Sequence, residues 1–228
     1  MAKKQKEEKT GLEFIESPEA LASEINKAQT VIEKNKNLFT YAGGAILLCL
    51  IGYFGYKWFA QNQDQEAQAA LFPLVSKFET DSAKGLSKDF IKIADEYGMS
   101  KAGNLAHFYA GVASLKDGKY DEAIEQLKDF SSSDLLVQAR AYSLIGDAYV
   151  EKKAYDDAIS FYKKASDYKP NKFFTPIYMM KLAGAYEANK QNDDAVEVYS
   201  SIIEKFEDSQ ESTLAKKYKS KLEGAVSE

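Results

Sequence analysis

The chain has 228 residues, a net charge of −5, a single histidine and a single cysteine. Its length allows one or two domains with a sizeable core. Its acidic balance argues against a nucleic-acid-binding protein, which would normally carry a basic surface. With only Cys49 and His107, the chain cannot form an internal disulfide or assemble a Cys/His metal site. We therefore expect no metal, no cofactor, no catalytic residue and no enzymatic activity.

Residues 1–16 begin with MAKKQKEEKTG, which contains no apolar run and is predicted to be disordered. A helix is predicted over residues 17–37, because Ser17 and Pro18 are favourable at a helix start. Its apolar side chains recur at i, i+4, i+7 and i+11 and form one stripe: Leu21, Ile25, Ala28 and Ile32. This amphipathic juxtamembrane helix would either lie on the lipid surface or dock on a membrane partner.

An uncharged run of 19 residues follows, LFTYAGGAILLCLIGYFGY at positions 38–56. It is close to the ~20 residues that a helix needs to cross a ~30 Å hydrocarbon core. It shows no polar stripe, which a core helix of this length would normally have. Aromatic residues lie near both ends, where the bilayer interfaces would be: Tyr41, then Tyr53, Tyr56 and Trp58. We therefore predict a transmembrane helix over residues 38–59.

The flanks of this run predict how it is processed and oriented. Lys57, Trp58 and Phe59 stand where a small-x-small cleavage site would lie, so an uncleaved signal anchor is predicted. Seven lysines precede the run, whereas only Lys57 follows it before Lys77. The positive-inside rule then places the N-terminus in the cytoplasm. For a bacterium this predicts a single-pass inner-membrane protein whose residues 60–228 form a periplasmic domain.

Small residues on one face of the predicted span indicate a contact surface as well as an anchor. Three glycines and one leucine share this face at i, i+4, i+8 and i+11: Gly44, Leu48, Gly52 and Gly55. Lipid gives helices no hydrophobic reason to associate, so close backbone contact through small residues is the usual route. The alternative is that glycine is simply frequent in such helices.

A ten-residue stretch occurs three times beyond the span: GKYDEAIEQL at 118–127, KAYDDAISFY at 153–162 and KQNDDAVEVY at 190–199. Each copy has an alanine at the same place, and a small residue stands 12 positions earlier: Ala123, Ala158 and Ala195, preceded by Gly111, Gly146 and Ala183. This pattern predicts pairs of short antiparallel helices whose axes approach closely at the small residues. One such hairpin cannot bury its apolar face alone, so the hairpins are expected to stack.

The three motifs FYAGVASLKDGKYDEAIEQL, AYSLIGDAYVEKKAYDDAISFYKKASDYKP and KLAGAYEANKQNDDAVEVY resemble tetratricopeptide repeat (TPR) units. The resemblance implies an all-α fold, with one transmembrane helix followed by an α-solenoid of three to four TPR hairpins. Residues 64–98 are interpreted as a degenerate first hairpin, with a kink or a new helix start at Pro73. Residues 210–225 are predicted to form a C-terminal capping helix with Leu214, Tyr218 and Leu222 facing inward.

This layout, together with DEYGMSKAGNLAHFYAG ahead of the first clear hairpin, is similar to the YfgM-type ancillary subunits of the bacterial Sec translocon. The resemblance implies a membrane-anchored interaction protein whose partners are the bilayer, Sec translocon subunits and periplasmic proteins or chaperones. Its periplasmic domain would bind emerging chains or chaperones. The alternative is a periplasmic TPR scaffold for envelope assembly or cell division that acts independently of the translocon.

TPR arrays bind partners on a concave face lined by the first helix of each hairpin, which predicts a groove formed by Leu105, Phe108, Val112, Arg140, Ser143, Asp147, Ile177, Met180 and Gly184. For Leu105, Phe108 and Ile177 the alternative is packing on the preceding hairpin. The groove lacks the lysines and asparagines of TPRs that clamp a C-terminal carboxylate, so binding of an acidic tail is not expected. Acidic pairs such as Asp121 and Glu122 are attributed to the helix dipole.

Overall fold

The computed structural model describes residues 18–81 and 85–225, and within these ranges the chain forms ten α-helices and no strand. This confirms the all-α prediction. The chain divides into two units, Met1–Phe59 and Ala60–Glu228. The segment 1–16, predicted to be disordered, and the predicted helix-start residue Ser17 lie outside the described residues.

The first unit contains helix α1, Pro18–Lys34, and the beginning of helix α2, Lys36–Asp81. Two members of the predicted apolar stripe on α1, Ile25 and Ile32, have about half of their surface exposed. Within the described residues, α2 is the only helix whose length and composition would allow it to cross a membrane. Its most apolar 18-residue window has a mean hydropathy of 1.7, and none of that window is buried.

The small-residue face of α2 lies open in this unit. A methyl group added to Gly44, Gly52 or Gly55 would meet no atom within 4 Å. Leu48, the fourth member of the face, is also exposed. The face is therefore sterically free to approach the backbone of another helix.

Helix α2 continues through Pro73, so of the two alternatives predicted there, a kink or a new helix start, the new helix start is wrong. A proline in a helix interior removes one backbone hydrogen bond and crowds the preceding turn. On either side of Pro73, Leu71 and Phe78 are buried in one apolar cluster and hold the two halves of the segment in place. Packing of the flanking turns therefore outweighs the local preference of the proline.

The second unit contains the end of α2 and eight further helices: α3, Ser87–Glu96; α4, Lys101–Lys116; α5, Tyr120–Asp129; α6, Leu135–Glu151; α7, Tyr155–Asp167; α8, Thr175–Ala188; α9, Asn192–Lys205; and α10, Gln210–Ala225. Helices α4 and α5, α6 and α7, and α8 and α9 are the three predicted hairpins. Acidic residues occupy the first turns of α5, α7 and α9, as the dipole argument predicted.

Each repeated ten-residue stretch begins at the turn inside a hairpin. Its first residue has a left-handed backbone, with φ of 73° at Gly118, 59° at Lys153 and 62° at Lys190. The next amide donates back to a carbonyl near the end of the first helix, for example from Ala154 to Tyr149 at 2.9 Å. This is the usual way to satisfy the last carbonyls of a helix. The shared turn geometry explains why the repeat begins at the same place in each copy.

The small residues predicted at helix crossings lie where the two helices of a hairpin touch. A Cβ on Gly111 would lie 2.4 Å from Cγ of Leu127, and a Cβ on Gly146 would lie 2.6 Å from Cε1 of Tyr162. Both distances are shorter than any ordinary contact, so the ridge of one helix occupies the space that a side chain would need. Ala183, the third small residue, is fully buried. The close approach predicted from the repeats is confirmed.

Apolar residues from both helical segments of the predicted first hairpin, among them Leu71 on α2 and Phe90 on α3, belong to one buried cluster, which also includes residues of α4. The ring centroid of Phe90 on α3 lies 5.6 Å from that of Phe78 in an edge-to-face arrangement and 5.6 Å from that of Tyr109 in a stacked one. Asp64 accepts a hydrogen bond of 2.8 Å from the backbone N–H of Ala102. Residues 64–98 are therefore integrated into the core of the stack.

Helix α10 covers the last hairpin, but its inward face differs from the prediction. Ala215 and Leu222 are buried, and the ring of Tyr218 stacks on Tyr199 with a centroid distance of 5.9 Å. Leu214 is 46% exposed, so its predicted inward orientation is wrong. Ser212 and Ala215 take the inward positions because small residues let α10 approach α9 closely.

Candidate functional site

The predicted groove residues lie on the first helices of the three hairpins, α4, α6 and α8, but they differ in exposure. Phe108 and Ser143 are buried, and four members are partly buried: Leu105, Val112, Asp147 and Met180. Arg140 and Ile177 are exposed, and a Cβ added to Gly184 would meet nothing within 4 Å. The last three positions are therefore the members most open to a partner.

Phe108 packs within the stack. Its ring centroid lies 5.2 Å from that of Phe130, and it belongs to a buried cluster with Leu127 and Ile145. Phe108 therefore contacts its own hairpin and the following one. The alternative considered from the sequence was that it packs on the preceding hairpin. Leu105 packs against this cluster and against that of the first hairpin. These two side chains link neighbouring hairpins.

A cavity of about 400 Å³ between α4 and α6 brings together two of the predicted residues, Val112 and Asp147. Sequence reasoning missed the other residues that line it: Leu115, Lys116, Tyr120, Leu144 and Glu151. Leu115 and Leu144 stand three positions from Val112 and Asp147 on the same helices, so helical periodicity alone would have found them. The cavity combines an apolar wall with a phenol, one ammonium group and two carboxylates, which suits binding of a peptide side chain.

The charged groups at this cavity are mostly paired. Asp147 accepts hydrogen bonds from the Tyr162 hydroxyl at 2.6 Å and from the Lys181 ammonium at 2.7 and 2.8 Å. Burial, together with the Asp147 charge, raises the pKa of Tyr162, so this phenol stays a donor. Glu151 accepts a hydrogen bond of 3.3 Å from Tyr120 and raises the pKa of that phenol. Asp147 is thus held in place by α7 and α8.

Replacing Asp147 with alanine is expected to lower the free energy of unfolding by about 1 kcal/mol, because the Tyr162 hydroxyl loses its acceptor in a mostly buried position. The Lys181 ion pair is about one-third exposed and should contribute little. In a Tyr162→Phe background, Asp147→Ala should be less destabilising. Chemical denaturation of the four proteins of this double-mutant cycle measures the coupling. Strictly additive effects would contradict the hydrogen-bonded arrangement.

The single histidine of the chain, His107, takes part in a contact between two helices. Nδ1 of His107 lies 2.9 Å from Oε1 of Gln126, which joins α4 to α5 within the first hairpin. Across residues 18–81 and 85–225 no three His, Cys, Asp or Glu side chains come together in a way that would hold a metal ion. His107 is therefore assigned to packing of the hairpin.

The fold and the repeat geometry agree with the comparison to known families. A family model described as "Tetratricopeptide repeat-like domain" matches residues 31–220, which include all three hairpins and the helices on either side. No curated protein matches this sequence. Folds of this kind typically serve as non-enzymatic scaffolds for protein–protein interaction. The chain therefore belongs to the tetratricopeptide repeat-like domain family.

Proposed function

We propose that this chain is a membrane-anchored TPR interaction protein that associates with the Sec translocon and binds emerging chains or chaperones through residues 60–228. One observation carries the proposal: the same chain contains a TPR-like domain and a helix whose apolar window is entirely unburied. Apolar surface of that extent is unfavourable in water and favourable in lipid. The TPR domain would then work tethered to a bilayer.

The orientation follows from the distribution of lysines. Seven lysines precede the span and only Lys57 follows it before Lys77, which favours a cytoplasmic N-terminus. The TPR domain would then be periplasmic in a bacterial inner membrane. The layout of the chain, which is similar to that of YfgM-type translocon subunits, supports the choice of the translocon as the membrane partner.

Two surfaces are assigned to partners in this proposal. The exposed groove positions on α6 and α8, with the cavity between α4 and α6, would receive a segment of an emerging chain or a chaperone. The open face of the span formed by Gly44, Leu48, Gly52 and Gly55 would contact a translocon helix. The bound segment would be held by packing and hydrogen bonds without chemical change, as is typical of TPR-like interaction scaffolds.

Site-specific photo-crosslinking in living cells tests both assignments. A photoreactive phenylalanine at Ile177 is expected to crosslink to emerging chains or chaperones, and one at Leu48 to a translocon subunit. Ser160, exposed on the second helix of its hairpin, is the matched control for the groove. Ile46 is the control for the span, because two helical positions place it on a different face from Leu48. Mass spectrometry identifies the crosslinked partners.

The outcome separates the proposal from the alternative scaffold. Equal crosslinking at Ile177 and Ser160 would contradict a role for the groove. Envelope-assembly or cell-division proteins at Ile177, with no translocon subunit at Leu48, would support the translocon-independent scaffold instead.

A further inference from the structure

The turns that connect one hairpin to the next lie along one edge of the stack, because successive helices run in opposite directions. The turn between α5 and α6 is tied to both of its neighbours. Asn104 exchanges two hydrogen bonds with the backbone of Ser131, at 2.8 and 3.0 Å. From the other side, the Tyr168 hydroxyl donates to the Ser132 carbonyl at 3.0 Å. The first junctions along this edge are therefore closed by hydrogen bonds.

The next junction along the edge is open. Across the described residues, no hydrogen bond or ion pair joins the turn between α7 and α8 to the turn between α9 and α10. A cavity of about 540 Å³ lies between these turns, with Phe173 on one side and Phe206 on the other. The space between the two turns is accessible from solvent.

The apolar side of this gap is formed by Phe173, which lies on the hydrogen-bonded turn between α7 and α8. Phe173 is 68% exposed, the largest exposure of any phenylalanine in the second unit. Oδ1 of Asn171 accepts hydrogen bonds from the backbone N–H groups of Phe173, at 3.1 Å, and of Phe174, at 2.9 Å. An exposed aromatic residue on a fixed turn loses little conformational entropy when it is covered. It therefore has the properties of an interface anchor.

The charged side of the gap is predominantly acidic. Four carboxylates line it, and none of them forms an ion pair or a side-chain hydrogen bond within the described part of the chain: Glu204, Glu207, Asp208 and Glu211. Only two lysines line the same cavity, Lys172 and Lys205. Nζ of Lys172 already lies over the Phe173 ring, 5.2 Å from its centroid. Unpaired carboxylates beside the exposed ring of Phe173 and the partly buried ring of Phe206 complement a ligand that is both cationic and apolar.

We propose that this gap is a docking site for a positively charged segment of another protein that carries apolar side chains. An apolar side chain of that segment enters between Phe173 and Phe206, and its lysines or arginines lie against the four carboxylates. The site is formed by the turns at the edge of the stack and not by the predicted concave positions. Binding at this gap depends neither on association with the translocon nor on binding in the predicted groove.

A binding assay with defined peptides tests the proposal on the full chain in nanodiscs of neutral phosphatidylcholine. A fluorescent peptide of alternating lysine and leucine is expected to bind with an affinity that falls as salt is added. Peptides of alternating glutamate and leucine, or of lysine and serine, should bind much more weakly. Phe173→Ser, and separately Glu207→Lys with Asp208→Lys, should each raise the Kd for the lysine–leucine peptide about tenfold.

Two control variants make the same kinds of substitution on surfaces away from the gap. Phe72→Ser removes a phenylalanine that is 58% exposed on α2, and Glu125→Lys with Asp129→Lys reverses two exposed acids on α5. Neither control should change the Kd, and all variants should retain the wild-type helical circular dichroism.

Three results of the binding assay would overturn the proposal. They are equal binding of the lysine–serine peptide, an unchanged Kd in both site variants, and a failure of the lysine–leucine peptide to bind at all. A photoreactive residue at position 173 should crosslink to the bound peptide. Crosslinks between two copies of the chain in its place would assign the gap to self-association and would also overturn the proposal.

Discussion

Replacing Phe90 with alanine is expected to lower the free energy of unfolding of the second unit by about 3–5 kcal/mol. Phe90 is completely buried, and its ring contacts those of Phe78 and Tyr109. Alanine would remove the transfer free energy of the ring and leave a cavity that two helices cannot easily close. It would also remove two aromatic pairs, each of which contributes beyond the area that it buries.

Urea denaturation of the full chain in mild detergent, followed by circular dichroism, measures the effect. Phe72→Ala is the matched control, because Phe72 is also a phenylalanine near the start of the second unit but is 58% exposed. The control should change the unfolding free energy by less than about 0.5 kcal/mol. Equal midpoints for the wild type and Phe90→Ala would mean that residues 64–98 are not part of the cooperative core.

Two glycine-to-alanine substitutions at comparable positions are expected to have opposite effects. Gly146 and Gly184 both lie in the first helix of a hairpin, where alanine is intrinsically better by about 1 kcal/mol. At Gly184 the added methyl group meets nothing within 4 Å, so Gly184→Ala should stabilise the protein by up to about 1 kcal/mol. At Gly146 it would lie 2.6 Å from the Tyr162 ring, so Gly146→Ala should destabilise it by about 1–3 kcal/mol.

The cost at Gly146 is high because the Tyr162 ring cannot move aside. That ring is buried, and its hydroxyl is held by Asp147. Thermal melts of the two variants and of the wild type, recorded side by side, check the sign of each effect. A rise in melting temperature for both substitutions would contradict the close crossing of α6 and α7.

The local patterns of the sequence were sufficient to predict the three hairpins and the pairing of the helices within each. Apolar periodicity and the repeated small residues predict contacts between the two helices of one hairpin, which are adjacent in the sequence. Gly111 and Gly146 illustrate this, since the space that each leaves is occupied by a residue only 16 positions later, Leu127 or Tyr162. The similar turns at Gly118 and Lys153 are likewise set by local backbone geometry.

The features decided by tertiary structure depend on contacts between hairpins. Helix α2 passes through Pro73 because distant residues of the first cluster hold its flanks, a contribution that local propensity does not contain. Leu214 faces solvent because the close approach of α10 to α9 selects small residues for the inward face. Burial of the predicted groove residue Phe108 depends on the side chains that α6 supplies.

Among the surfaces assigned to partners, the small-residue face of the span and the exposed groove positions on α6 and α8 were predicted from the sequence, whereas the gap at the edge of the stack was not. The open gap between Phe173 and Phe206 exists because the bridging hydrogen bonds found at the preceding junction do not recur there. The absence of a contact between two turns cannot be predicted from the apolar periodicity of the helices that flank them. The sequence by itself thus determined which segments are helical and how they pair, whereas only the packing of hairpin on hairpin decided which side chains remain free for partners.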